Sequence, residues 1–581
     1  MENSRVNTLD ESQPNSQPNS LVEIAYDSEL TRQCGAALVD ALVEHLGSVQ
    51  SGEGPVQRWR DPEENISDAL QWLETARFSD SQHAVSQFIE LTRLSLQRGQ
   101  NLNHPRCVGH QVPAPLPLVG LFDAITTMTN QVQGVYEMGP WGIAAERAVI
   151  EKIGQKIGYQ SGEFGGLVTS GGSLGNLTAL LAARNEACPW IWNEGNRPQQ
   201  QSERVGMNVS DEAVSDGATS DEATLDGGQG LGDGNGTDRH QSVSTTKTEF
   251  SPRMPVLVVQ TDAHYCIDRA AGVMGIGKSQ VLRVPLDNHR RMDVNELERM
   301  LVDLTAEEVP IIAVVAVACT TAVGAFDPID SIADVCSRHR VWLHVDAAHG
   351  GAVCLSRRHR HLVHGLERAD SVVFDAHKMM FVPAVCALVF YRNKQNRFRA
   401  FEQEAPYLFD PSAPDMSEFD NGVVTFECTK RSAALGLWGA MSIFGLDLFE
   451  QLVDRVFQVA QQLSEMLENA NEFEVVGAPQ ANIVVFRYLP DTGTSGASNA
   501  NVRPDESAVK LSQLQLRLRR AMLESGFGYL TQTSLDDEIY LRCTIMNPLT
   551  DASHLAEIIE KLRQIAPVLW GELQELGQDT A

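Results

Sequence analysis

Residues 310–326 read PIIAVVAVACTTAVGAF. The stretch carries no charged side chain, yet it falls short of the roughly 20 apolar residues that cross a bilayer, and it opens on proline. A strand covered on both faces and followed by a turn fits it better, because strands of a parallel sheet read as continuous Val and Ile runs. GGLVTS (165–170), MPVLVVQTD (254–262), VWLHVDAA (341–348) and SVVFDAHK (371–378) share this character, and helical stretches lie between them. The alternation predicts an α/β fold with a mostly parallel sheet. Ligands of such sheets sit beyond the carboxyl ends of the strands. Those ends carry Ser170, His264, Thr320, Asp346 and Lys378.

The chain has 581 residues, enough for more than one domain, and at 43% hydrophobic and 21% charged it has the composition of a globular protein. A formal charge of −30 argues against a nucleic-acid or anionic-membrane partner, since both demand surplus Lys and Arg. The ten cysteines are scattered without CxxC spacing, and no charged segment followed by an apolar core opens the chain. A cytoplasmic location is the expectation.

Residues 1–20 are rich in Ser, Asn and Pro and are expected to be a disordered tail. Amphipathic helical patterns follow over 21–100, for example HAVSQFIELTRLSLQ (83–97). The sheet-forming block spans 101–445. It is interrupted at 194–250 by a stretch with eleven acidic and four basic residues and no apolar period, read as a largely disordered surface insertion. Residues 446–581 mix helical patterns with two strand candidates, ANIVVFRYL and IYLRCTIM, and read as a smaller α+β domain.

TSGGSLGNLTALLAAR (169–184) runs from a strand through glycines into a helix. Gly171 and Gly172 let backbone amides approach a ligand, Ser173 adds a hydroxyl, and the helix amino end favours an anion. The stretch lacks the lysine of a P-loop and the spacing of a dinucleotide fingerprint, and a glycine turn that merely caps a helix looks the same. HVDAAHGG ends a buried strand on Asp346, and its small followers, Ala348 among them, could pack against a flat ring. Lys378 ends the next strand, where a lone ammonium is either neutralised or a nucleophile. A phosphate cradle, a strand-end Asp and a strand-end Lys in that order suit a phosphorylated pyridine aldehyde.

On these motifs the chain resembles the pyridoxal 5′-phosphate-dependent group II amino-acid decarboxylases, from NHPRCVGH at 103 to LRCTIMNPLT at 541. The resemblance implies a fold of the aspartate aminotransferase type (fold type I), with a mostly parallel seven-stranded sheet, a small carboxy-terminal α+β domain and a homodimer. It makes Lys378 the residue that links the cofactor and Asp346 the partner of the pyridine nitrogen. It makes His264 the residue stacked on the ring, and puts Gly172, Ser173 and His377 near the phosphate. It sets Thr320 near the ring hydroxyl or the substrate carboxylate, and Arg542 on the substrate carboxylate. Tyr407, in EAPYLF, matches the lid tyrosine that returns a proton to the α-carbon.

By the same resemblance NHPRCVGH is expected to line the substrate side, and its His110 matches a His-Pro-x-x-Val-x-His pattern of diaminobutyrate decarboxylases. L-2,4-diaminobutyrate is therefore the first expectation, with glutamate, aspartate, cysteine sulfinate or an aromatic amino acid as alternatives. Departures from the family pattern are Cys107, His349 and Met379. The competing readings are another reaction on the same cofactor and a non-catalytic homologue, although the chain keeps both Lys378 and Asp346. RRHRHLVH (357–364) has no metal-site spacing and reads as a solvated basic stretch.

Overall fold

The computed structural model describes residues 20–196, 254–401, 418–491 and 504–576. The tail over 1–19, most of the acidic insertion and Tyr407 lie outside the described residues.

Seven strands build the main sheet: β1 (Gly165–Thr169), β2 (Val256–Gln260), β3 (Val281–Val284), β4 (Ile311–Val317), β5 (Leu343–Asp346), β6 (Ser371–Asp375) and β7 (Ala387–Tyr391). Their order is β1-β7-β6-β5-β4-β2-β3. From β3 across to β6 every pairing is parallel, and β7 runs antiparallel between β6 and β1. The fold class read from the continuous apolar runs is the one observed. Alternation along each strand feeds two cores. On β4, Ala313 and Val315 pack with Leu180 and Ala183 of helix Gly172–Ala187. Val314 and Ala316 face the other way, towards Ile153, Ile329 and Ile332. No polar period could serve a sheet covered on both faces.

Register lines up the chemistry at one edge. Asp346 pairs with Val317 on one side and Val373 on the other. Ala387 pairs with both Thr169 and Asp375, so the glycine turn after β1 and the end of β6 flank one residue.

A second, antiparallel sheet has the order β10-β11-β9-β8, from β8 (Phe473–Val475), β9 (Ile483–Tyr488), β10 (Thr531–Leu535) and β11 (Glu538–Thr544). Residues 106–108 lie along it: Val108 N donates to Tyr529 O at 2.9 Å and Thr544 N donates to Val108 O at 2.7 Å. Asn482 ties the two sheets, since its Oδ1 lies 2.8 Å from His349 Nε2 and its Nδ2 donates to Ile545 O at 2.8 Å.

Helices Ser28–Gln50, Pro62–Thr75 and Ser81–Arg98 are each capped by an aspartate, Asp27, Asp61 and Asp80, that accepts from first-turn amides. They bury little in one chain: Val49, Val85 and nothing from the middle helix. No helix among the described residues is long and apolar enough to cross a membrane.

Candidate active site

At the carboxyl edge of the main sheet lies a cavity of about 270 Å³, lined by residues that include Gly172, Ser173, His264, Asp346, Ala348, His377 and Lys378. Seven residues expected from the sequence therefore meet in one place. Gly171, at φ +112° and with open space around its missing Cβ, turns the chain from β1 into helix Gly172–Ala187. This puts the helix amino end, with its unpaired N–H groups, on the cavity wall. A Cβ at Gly172 would stand 2.6 Å from Asp375 Oδ2, so only glycine fits there.

Asp346 is 5% exposed. Its Oδ1 accepts from Ala348 N at 3.2 Å, and its Oδ2 has the Cys266 thiol at 3.9 Å. Burial pushes that thiol's pKa up, and Asp346 pushes it further. His264 is half-buried beside the Tyr265 ring, 4.1 Å between centroids, and its Nδ1 accepts from Cys266 N at 3.3 Å. Burial lowers the His264 pKa and Asp346 opposes that shift. Lys378 Nζ lies 3.2 Å from Asp375 Oδ2, and His377 Nε2 lies 3.5 Å from the same oxygen. His377 Nδ1 is held at the Cys386 backbone, 2.9 Å from its O and 3.2 Å from its N.

Thr320 is placed otherwise. It is buried, its Oγ1 accepts from Ala325 N at 3.0 Å, and Thr321 and Cys319 line the cavity instead. The hydroxyl is taken up in closing the turn after β4. Arg542, from β11, is 5% exposed; Nη1 donates to Thr531 Oγ1 at 3.3 Å, while Nε and Nη2 have no partner. Burial lowers its pKa to about 10. His110 is exposed, with its ring 5.4 Å from that of Tyr529, and neither it nor Arg542 is among the residues that line the cavity. Partial burial lowers its pKa first, and Arg542 and Arg519 lower it further.

His349, read as a departure from an aromatic residue, is a lining residue whose pKa burial drives down to about 3. Asp375, Cys266 and Thr321 were missed as site residues. Asp375 had a signal, an acid one helical turn before the strand-end lysine. Cys266 had none beyond its place after His264. Among the described residues no group of three His, Cys, Asp or Glu could hold a metal ion. His359 of the basic stretch packs on Phe457, with 4.5 Å between centroids.

The cavity thus offers a helix amino end with a hydroxyl, a buried carboxylate and a primary amine. That is the donor set a phosphorylated pyridine aldehyde requires.

Residues 238–489 match the family model described as the pyridoxal-dependent decarboxylase conserved domain. The chain is 28% identical to cysteine sulfinic acid decarboxylase of Mus musculus over 96% of this chain and 97% of the mouse protein. It is 29% identical to the human acidic amino acid decarboxylase GADL1 over 75% of this chain and 72% of that protein. A crystal structure of mouse CSAD in apo form superposes with a TM-score of 0.74 at 25% identity, covering 93% of this chain and 98% of that one. The fold is shared with Oryza sativa TDC bound to PLP and tryptamine, with a TM-score of 0.74 at 18% identity over 94% of this chain and 99% of that one. From the motifs, the cavity and these likenesses, the chain carries the pyridoxal-dependent decarboxylase conserved domain over residues 238–489, is similar to the group II pyridoxal 5′-phosphate-dependent decarboxylases, and is an amino-acid carboxy-lyase.

Proposed function

We propose that the protein decarboxylates an L-amino acid with an acidic side chain. One observation carries the substrate class: the Arg542 guanidinium is buried with its Nε and Nη2 unpartnered. Such a cation favours a substrate with a second negative group, a carboxylate or sulfinate, over the second ammonium of diaminobutyrate. The mouse and human relatives are named for acidic substrates, which supports the same reading. The His110 pattern favours L-2,4-diaminobutyrate as the second reading. The test is carbon dioxide release from aspartate, glutamate, cysteine sulfinate, diaminobutyrate and the aromatic amino acids. Acidic substrates are expected to exceed diaminobutyrate by at least about tenfold in kcat/KM, the size of a few polar contacts. A preference for diaminobutyrate would reverse the assignment.

When bound, pyridoxal 5′-phosphate supplies an electron sink for the pair left by departing carbon dioxide. Lys378 would provide the amine that anchors it, Gly172, Ser173 and His377 would hold its phosphate, Asp346 would keep a proton on its ring nitrogen, and Ala348 and His264 would pack against its ring. Thr320 acts through the turn it closes. Arg542 has two donors free in a buried place, and it orients the substrate α-carboxylate. Tyr407 returns the proton to the α-carbon, which selects amine as the product.

The proposal includes a homodimer. Exposed apolar side chains gather on the amino-terminal helices at Val39, Val43, Ile66, Leu70 and Leu73, and on Pro117–Met128 at Leu121, Ile125 and Met128. Apolar surface of this extent is normally covered. A light-scattering mass of two chains at micromolar concentration is expected, and a monomer would contradict it. A cytoplasmic location is part of the same reading: all ten cysteines stand unpaired.

A further inference from the structure

Asp375 ends β6 three residues before Lys378, and nothing in the chemistry above uses it. Its side chain is 2% exposed. Oδ2 faces two side-chain nitrogens, Lys378 Nζ at 3.2 Å and His377 Nε2 at 3.5 Å. Gly172 closes it from the cradle side, and Oδ1 has no partner. The other titratable groups that act across this space are Asp346 from β5, His264 and Cys266 from the start of the helix after β2, and Cys386 from the turn before β7. Burial raises the Asp375 pKa, and Lys378 and then His377 oppose that shift. His377 is fixed through Nδ1 at the Cys386 backbone. A carboxylate this deep is retained only against a counter-charge, and the Lys378 amine is the closer of the two.

We propose that Asp375 is the positioning residue of Lys378: its carboxylate holds the free amine as an ammonium on the cavity floor. The amine must leave this carboxylate and lose its proton before it can act as a nucleophile. The inference rests on reading Lys378 as the cofactor-linking residue. It adds a counter-ion that stores this lysine in an inactive, pre-placed form.

The test is acylation of the full-length, cofactor-stripped protein with acetic anhydride over a range of pH, read lysine by lysine by peptide mass spectrometry. An opposite charge at this distance shifts an ammonium's titration by about one unit or more. Asp375→Asn is therefore expected to raise Lys378 labelling at pH 7.5 at least about tenfold and to move the midpoint of its profile to lower pH. Lys430, paired with Glu146 at 2.8 Å, serves as the folding control and is expected to be unchanged. An unchanged Lys378 profile beside an unchanged Lys430 overturns the proposal. If Lys430 labelling also rises, Asp375→Glu and Asp375→Gln, matched in size and different in charge, are compared. Only the Gln variant should release Lys378, and equal labelling in both overturns the proposal. Protection of Lys378 in the unaltered protein by added pyridoxal 5′-phosphate tests the underlying assignment separately.

Discussion

His344 Nε2 lies 2.7 Å from Asn176 Oδ1, joining a core strand to the helix that opens on the phosphate cradle. An amide oxygen can only accept, so Nε2 carries the proton and Nδ1 accepts from Ser371 Oγ at 2.8 Å. Ser371 in turn accepts from Trp342 Nε1 at 2.9 Å. Beyond His344 the chain continues: Asn176 Nδ2 donates to Cys266 Sγ at 3.4 Å, and that thiol faces Asp346 Oδ2 at 3.9 Å. Every donor in the series points towards the carboxylate proposed to hold the pyridine nitrogen.

Breaking this series should loosen Asp346 at the wall of the cavity, which Asn176 and Cys266 themselves line. Asn176→Ala is expected to weaken pyridoxal 5′-phosphate binding about tenfold or more, the cost of leaving buried polar groups unpaired. Fluorescence titration of the stripped protein with the cofactor measures it, and unchanged affinity would detach the series from the site.

Acid should destabilise the protein well above the carboxylate range. Burial lowers His344 to about 4 and His349 to about 3, so the folded state holds both neutral where the unfolded chain binds protons. The stability they contribute is complete above pH 6.5 and is lost as pH falls from there towards their folded values. The loss is of order 3 kcal/mol for each fully buried ring. Asp327, raised by burial to about 6, works in the opposite direction between pH 6 and 3.8 and offsets part of it. Melting temperature is expected to fall steadily between pH 7 and 5, and a flat profile would contradict these burials.

Arg542→Met should separate stability from activity. The guanidinium is buried with two nitrogens unpartnered, so removing it is expected to leave stability unchanged or raised by about 1 kcal/mol. Decarboxylation should fall at least about a hundredfold, the scale of a lost charged contact to substrate. Denaturant melts and carbon dioxide release read the two effects. A clear loss of stability would mean that the arginine serves the fold.

Gly172→Ala tests the cradle. Its Cβ would stand 2.6 Å from one Asp375 oxygen and 2.8 Å from the other, at the end of a buried strand with little room to yield. Cofactor content after dialysis, read by absorbance, is expected to drop severely while the far-ultraviolet circular dichroism is kept. Full occupancy would mean that the cradle opens more easily than the packing implies.

The main sheet was legible because burial on both faces demands short, mostly apolar runs, clearest in VLVVQ of β2 and IIAVVAV of β4 and recognisable in β1, β5 and β6. β3, at VLRV, and β7, at ALVFY, were not singled out: the first is only four residues long at the sheet edge, and the second follows a turn rather than a helix. β10 reads TQTSL, half exposed and polar, and no apolar run marks it. Lys378 and Asp346 stood out because a charge at the end of an apolar strand is costly. Thr321 could not be told from Thr320 by sequence, since which hydroxyl closes the turn depends on backbone direction alone. The Arg542 environment was hidden for another reason. Thr531, which accepts from it, lies eleven residues earlier in the chain and reaches it only through the β10–β11 register.

The assignment of Lys378 as the cofactor-bearing residue is tested most directly by borohydride reduction of the pyridoxal 5′-phosphate-loaded protein, followed by peptide mass spectrometry. The phosphopyridoxyl group is expected on Lys378, and none should be found in Lys378→Ala. Recovery of the modification on another lysine, with Lys378 unmodified, would contradict the account.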